Sequence, residues 1–242
     1  MPPSQLHIFQ DKKLIEDFLI QHWQESAKEA IRKRGRFVVA VSGGRTPIDF
    51  FEQLSRATFK FWPHTHIFQV DERYVPLTHH DNNFGMLNKT LLSKIPGLSN
   101  RAYPFICEGK SIEHDCQLYE ERLKAFFKLK RDQGPCFDLI MLGIGQDGHT
   151  ASLFPRGQEL KEKKRLVVIS QSENHPHARL SLTLPVINHG RKVIFYVMGE
   201  KNASIMRRIF KRKNLPAHYV KPAKGQLIFC LDQEAASKLN SL

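Results

Sequence analysis

Three short stretches of the 242-residue chain gather groups able to bind or protonate a ligand, and each follows an apolar run. Ser42–Gly43–Gly44–Arg45–Thr46–Pro47 comes directly after Phe37–Val41. Two glycines let backbone N–H groups approach an anion, and a helix starting there would add partial positive charge. Ser42, Arg45 and Thr46 add side-chain donors. The same residues also suit a tight turn into a helix capped by Thr46, with Pro47 at its first position. The stretch lacks the Gly-x4-Gly-Lys of a Walker loop. Ala40 stands where a nucleophile elbow needs glycine, so Ser42 is not read as a nucleophile.

Asp71–Glu72–Arg73 ends the apolar run Ile67–Val70. Arg73 can fix or polarise a ligand oxygen, while Asp71 and Glu72 can orient it or meet hydroxyls. A surface ion cluster is the alternative. The third stretch runs from Gly143 to Pro155 and includes Gly145, Asp147, Gly148 and His149. Its start matches Gly-x-Gly-x-x-Gly, but Pro155 leaves no room for the helix of a dinucleotide-binding unit, and Asp147 would oppose a pyrophosphate. What it offers is His149, an imidazole, a group able to act as an acid or base. Arg179 and Lys201 are further cations placed beyond later strands. The pairs His64/His66, His79/His80 and His175/His177 have no carboxylate or thiol at a metal-ligand interval, so no metal is expected.

The surrounding pattern supplies the frame. Asp11 can cap a helix whose apolar residues recur at helical spacing from Leu14 to Ile31, with Gly35 as its stop. Further helices are read over Phe84–Leu92, from Ile112 to Phe127, and from about Gln233. Strands are read at Phe37–Val41, Ile67–Val70, Phe137–Leu142, Leu166–Ile169, Val193–Met198 and Leu227–Cys230. Leu180, Leu182 and Leu184 alternate with Ser181 and Thr183, which predicts a half-exposed strand. Strands alternating with helices predict an α/β fold: a mostly parallel, Rossmann-like sheet covered by helices on both faces. Ligands of such sheets bind beyond the strands' carboxyl ends, where all three stretches fall. No linker or repeat interrupts residues 1–242, which predicts a single domain.

Composition sets outer bounds. At 41% hydrophobic and 25% charged residues, the chain reads as an ordinary soluble globule. No apolar run approaches the ~20 residues of a membrane helix, and residues 1–10 lack the pattern of a signal peptide. The expected compartment is the cytoplasm, with four free cysteines. Net charge is +13, and residues 191–242 carry eleven Lys/Arg against three Asp/Glu. The densest run, Arg207–Lys213, is read as a solvated helix end. The alternatives are a nucleic-acid or membrane patch and a field that draws in an anionic substrate.

Taken together and in this order, the stretches resemble the 6-phosphogluconolactonase family, within the fold group of glucosamine-6-phosphate deaminases and ribose-5-phosphate isomerases. The resemblance rests on Val41–Pro47, on Asp71–Pro76 followed by Asp81–Asn83, and most of all on Phe137–Pro155. Arg179–Pro185, Gly199–Lys201 and the segment from Leu215 to Asp232 complete it. The deaminase branch typically has Ala-Phe-Asn-Glu-Pro after Asp-Gly-His. Here Ala151–Pro155 holds no carboxylate, and Arg73 stands where deaminases usually have an aromatic residue. Arg45 and Asn83 each occupy a position where serine is common in lactonases.

The resemblance implies hydrolysis of 6-phosphogluconolactone to 6-phosphogluconate, a step of the oxidative pentose phosphate route. His149 would activate water, and Arg73 or N–H groups of Gly145–Gly148 would meet the oxyanion, with Asp71 beside them. Ser42, Gly43, Gly44, Arg45, Thr46, Glu72, Arg179 and Lys201 would hold the sugar phosphate. The implied partner is a small phosphorylated lactone. No cofactor, nucleic acid or membrane is implied, and the protein would be a monomer or weak homodimer.

Overall fold

The computed structural model describes residues 4–107, 111–211 and 214–239. Seven strands form one sheet: β1 (Gln5–Phe9), β2 (Phe37–Val41), β3 (Thr65–Gln69), β5 (Ala102–Tyr103), β6 (Leu139–Leu142), β9 (Lys192–Val197) and β10 (Gln226–Asp232). Their order is β1-β10-β9-β6-β2-β3-β5, with every neighbouring pair parallel. Three short strands, β4 (Asp71–Arg73), β7 (Val167–Ser170) and β8 (Arg179–Leu182), form an antiparallel sheet in the order β4-β8-β7.

The large sheet is buried on both faces, and side-chain alternation sorts its residues. Val38 and Ala40 of β2 enter one apolar cluster with Phe68, Ile140, Leu142 and Phe195. Phe37, Val39 and Val41 enter the other with Ile67, Leu139 and Met141. Helices α4 (Ile112–Phe127) and α6 (Ala203–Lys211) cover the first face through Cys116, Tyr119, Leu123, Ile205 and Met206. Helices α1 (Lys12–Arg34), α2 (Ile48–Arg56) and α3 (Asn83–Thr90) cover the second. Helix α1 runs between the predicted signals: the Asp11 side chain accepts from Leu14 N–H at 2.9 Å, and Gly35 closes it at φ 73°.

The chain leaves β2 for β3 on one side and later returns to β6 on the other. The carboxyl ends of β2 and β6 therefore open a crevice at a topological switch point. Val70 is the pivot between sheets: its N–H donates to Val41 O at 2.9 Å, and its carbonyl accepts from Leu182 N–H at 2.8 Å.

Several expectations need correction. Asp71–Arg73 is not the tail of β3 but a strand of the small sheet, paired with β8. Strand β8 is not half-exposed, since all four of its residues are buried. Its alternating hydroxyls are satisfied internally. Ser181 Oγ accepts from Ser152 N–H at 3.2 Å and donates to Leu182 O at 3.0 Å, while Thr183 Oγ1 donates to Arg165 O at 2.9 Å. Thr46 does not cap α2, which begins at Ile48 after Pro47 with no side-chain cap. Strands β1 and β5 were not foreseen: β1 is an edge strand with Leu6 and Ile8 exposed, and β5 has only two residues.

Glu72 joins β4 to α3. Its fully buried carboxylate accepts N–H groups of Arg73, Asn83 and Phe84, each at 2.8 Å, and Gln69 Nε2 at 2.7 Å. Burial pushes this carboxyl up to about 7, against the pull of those four donors. Glu72→Gln should therefore destabilise the protein by about 1–3 kcal/mol, because an amide NH2 would face N–H donors. Urea unfolding at neutral pH measures this; an unchanged midpoint would deny Glu72 its role.

Candidate active site

A cavity of about 180 Å³ lies beyond the carboxyl ends of β2, β6 and β9. Ser42 to Pro47 form one wall, and Gly143, Ile144, Gly145 and His149 form another. Asp71 and Arg73 of β4, Arg179 of β8, and Asn83, Tyr196 and Asn202 complete it.

His149 is held by its own loop. Asp147 Oδ1 lies 2.6 Å from His149 Nδ1 and also accepts the His149 backbone N–H at 3.0 Å. Gly145 N–H donates to His149 O at 2.9 Å, and Thr150 Oγ1 donates to Gly143 O at 2.9 Å. Only glycine fits at 145, since a Cβ there would stand 2.2 Å from the imidazole. Phe154 and His175 pack on the ring, with centroids at 5.1 and 5.2 Å. No helix follows this loop directly; Thr150 and Leu153 form an isolated bridge instead, consistent with rejecting a dinucleotide fingerprint.

The Asp147 carboxyl would rise through burial alone. The His149 hydrogen bond and charge, with the His149 N–H and the His175 charge, outweigh burial and hold it at about 2. An ionised Asp147 bonded to Nδ1 favours the Nδ1–H tautomer, which leaves Nε2 as a proton acceptor.

The opposite side is cationic. Arg73 and Arg179 are register partners across β4 and β8. Arg73 Nη1 donates to Asp81 O at 2.5 Å, and Arg179 Nη1 to Ser152 Oγ at 3.5 Å. Arg179 is only 7% exposed. Burial is the main force lowering its proton affinity; the Asp71 charge opposes this and the Arg73 charge adds to it. Asp71 is buried too, and its Oδ2 accepts the Ser152 hydroxyl at 2.6 Å. Ser42 Oγ, Arg73 Nε, Arg179 Nε and Tyr196 OH are buried with no hydrogen-bond partner among the described residues. Unpaired buried donors are costly, so this cavity suits an oxygen-rich anion.

The Ser42–Thr46 wall lies open to such a ligand. A Cβ on Gly43 would stand 2.2 Å from the Asn83 side chain, and Gly44 has φ 93°. Arg45 and Thr46 are exposed at the mouth.

Of the expected site residues, Ser42, Gly43, Gly44, Arg45, Thr46, Asp71, Arg73, Gly145, His149 and Arg179 line the cavity. Three do not. Glu72 points the other way along β4, its carboxylate already engaged. Gly148 faces Leu215 and Ile205. Lys201 is exposed outside the lining, and Asn202 next to it takes the place at the cavity wall. Sequence reading passed over Asp147 as a partner for His149, although the spacing of two residues was its signal. Ser152 and Tyr196 carried no signal beyond their position in a motif or strand.

No carboxylate was read at a metal-ligand interval from the paired histidines, yet folding brings Asp147 to His149 and His175, and Asp81 to His79 and His80. Each carboxylate has its own protein partners: Asp147 those named above, and Asp81 the ring of His177 at 3.1 Å.

Asp147→Asn removes the negative charge that favours Nδ1–H and stabilises the imidazolium, and puts a competing NH2 donor beside the ring. It should lower kcat by about 10²–10⁴-fold with KM within a few-fold, the scale of general base catalysis and of the matching change in a Ser-His-Asp triad. Steady-state kinetics on the folded variant measures this; wild-type turnover would remove Asp147 from the site's chemistry.

Comparison with known proteins accords with this geometry. The family described as glucosamine-6-phosphate isomerases/6-phosphogluconolactonase matches residues 10–229. The chain is 37% identical over 215 residues to the 6-phosphogluconolactonase of Synechocystis sp., spanning 87% of this chain and 88% of that one. It is 37% identical over 222 residues to the GDH/6PGL endoplasmic bifunctional protein of Homo sapiens, spanning 88% of this chain but 27% of that protein. The solved 6-phosphogluconolactonase from Thermotoga maritima superposes with a TM-score of 0.81 at 30% identity, over 95% of this chain and 100% of that one. With its family signature stretches meeting at one cavity, this chain belongs to the glucosamine-6-phosphate isomerase/6-phosphogluconolactonase family.

Proposed function

We propose that the protein hydrolyses 6-phospho-D-glucono-1,5-lactone to 6-phospho-D-gluconate, as a step of the oxidative pentose phosphate pathway. The observation that carries this reading is an Asp147-bonded imidazole and two arginines, Arg179 buried and Arg73 partly so, lining one small cavity. His149 Nε2 takes a proton from water as the oxygen attacks the lactone carbonyl. Arg179 and Arg73 offer donors to the oxyanion, and losing one such donor typically costs about 10²–10³-fold. As the intermediate collapses, the ring C–O bond breaks and the imidazolium returns its proton to the leaving oxygen. The second proton of the water leaves as the carboxylate ionises. Water supplies all that is consumed, so the reading calls for no redox cofactor.

The phosphate is assigned to the Ser42–Thr46 wall, where Arg45 stands beside the Gly43 and Gly44 N–H groups. Lys201 is not part of this assignment, since it lies outside the lining. The deaminase reading is disfavoured by Ala151–Pro155, a stretch with no carboxylate among its own residues.

We further propose a cytoplasmic protein of one catalytic domain, a monomer or weak homodimer, binding neither nucleic acid nor membrane. Among the described residues no helix is long and apolar enough to cross a membrane. Arg207 and Arg208 lie on the exposed face of α6, opposite buried Ile205, Met206 and Ile209, as a solvated helix face would. Arg212 and Lys213 of the basic run lie outside the described residues.

The test is hydrolysis of freshly generated 6-phosphogluconolactone with the spontaneous rate subtracted. Wild type should be active, and His149→Asn should lose about 10²-fold or more in kcat. Arg45→Ala should weaken 6-phosphogluconate binding by about one to two decades while hardly changing binding of gluconate. An inactive wild type, or equal losses for both ligands, would contradict the respective assignment.

A further inference from the structure

The proposed chemistry uses one imidazole, yet the Asp147 carboxylate faces two. His149 Nδ1 lies 2.6 Å from Oδ1, and His175 Nε2 lies 3.8 Å from Oδ2. The two rings meet edge to face, with centroids 5.2 Å apart and planes at 86°. Both rings also touch Phe154, at 5.1 and 4.9 Å. The His149 side chain is 19% exposed and that of His175 27%, so both rings are partly shielded from solvent. His175 comes from the loop that leads into Arg179, which also stands over the Phe154 ring at 6.0 Å. His149 and Arg179 thus both rest against Phe154, and His175 and Arg179 come from one segment.

We propose that His175 is a positioning residue for His149, sharing the Asp147 carboxylate so that the two imidazoles take up protons as a coupled pair.

One carboxylate can balance one imidazolium well and two poorly. The charged groups around His175 are Asp147, His149 and Arg179. Burial is the main force that lowers its proton affinity, and the charges of His149 and Arg179 lower it further, while Asp147 opposes all three. A proton on His149 removes the base, and a proton on His175 makes it compete for Oδ2 of the same carboxylate. The active form holds neither proton, so activity falls with two protons on the acid side. The coupling also has a packing component, because neutral His175 limits the swing of the His149 ring. Small displacements of a reacting group can be costly in rate.

Two variants separate these parts. His175→Gln keeps a polar group at the position of Nε2 but cannot titrate; His175→Ala removes the ring's support altogether. The kinetic arm rests on the lactonase reading, whereas the spectroscopic arm uses ligand-free protein and stands without it. In the kinetic arm, log kcat/KM against pH should fall on the acid side with one proton fewer in His175→Gln than in wild type. The substrate's own ionisation is common to both proteins and cancels in the difference. On the alkaline plateau His175→Ala should lose about tenfold in kcat, and His175→Gln should recover most of that loss. In the spectroscopic arm, NMR titration should show His175 protonating at higher pH in His149→Asn than in wild type, because the repelling charge is gone. Identical acid slopes in wild type and His175→Gln, or a His175 titration unmoved by His149→Asn, would overturn the proposal.

Discussion

Two guanidiniums stand opposite each other across the β4–β8 pair, and much of the surrounding structure answers to that pairing. Like charges on directly paired strand residues destabilise a sheet. Arg179 is also nearly fully buried, where an uncompensated charge is expensive. The neighbourhood is arranged accordingly. Asp71 lies buried on the same short strand, Ser152 bridges Asp71 and Arg179, and the carbonyl of Asp81 takes Arg73. Ser152 is itself fixed from both sides, its N–H on Ser181 and its carbonyl on the Ser170 hydroxyl at 2.5 Å. All three strands of the small sheet thus serve to hold one pair of cations. The balance is incomplete, because both Nε atoms lack partners among the described residues. Under the proposed reaction, the oxyanion of the intermediate is the group that would complete it.

The base is built by a different device. Strand β6 ends at Leu142, and a loop of backbone hydrogen bonds then brings His149 to the cavity with Asp147 bonded to its ring. Strand pairing brings the two halves together, for Val41 and Met141 are register partners and the Ser42 N–H donates to Met141 O at 3.0 Å. The Ser42–Thr46 wall and the His149 loop therefore follow adjacent, paired strands of one sheet.

Much of this was legible in the sequence where a local rule decides the outcome. Asp11 and Gly35 bound α1 as their chemistry requires, and buried apolar runs marked the central strands. Pairings distant in sequence were not legible. Nothing near Asp71 announces a partner strand at Arg179, so the acidic-basic triplet read as the end of β3. Alternation then explains why Asp71 and Arg73 face the cavity and Glu72 does not, since successive strand residues point to opposite faces. Lys201 had the right charge and junction, but the turn at Glu200–Asn202 brings Asn202 to the cavity and leaves Lys201 exposed. Asp147 was visible but read as an obstacle to a phosphate. Its value is evident only once the loop folds its carboxylate back onto the imidazole two residues later.

The account stands or falls on which nitrogen of His149 carries the proton. Nitrogen-detected NMR of the ligand-free protein, above the pH at which His149 is protonated, reads this directly. The account predicts the Nδ1–H tautomer, with Nδ1–H donated to Asp147 and Nε2 bare. An imidazole protonated on Nε2 and bare on Nδ1 would leave no acceptor facing the cavity, and would contradict His149 as the base.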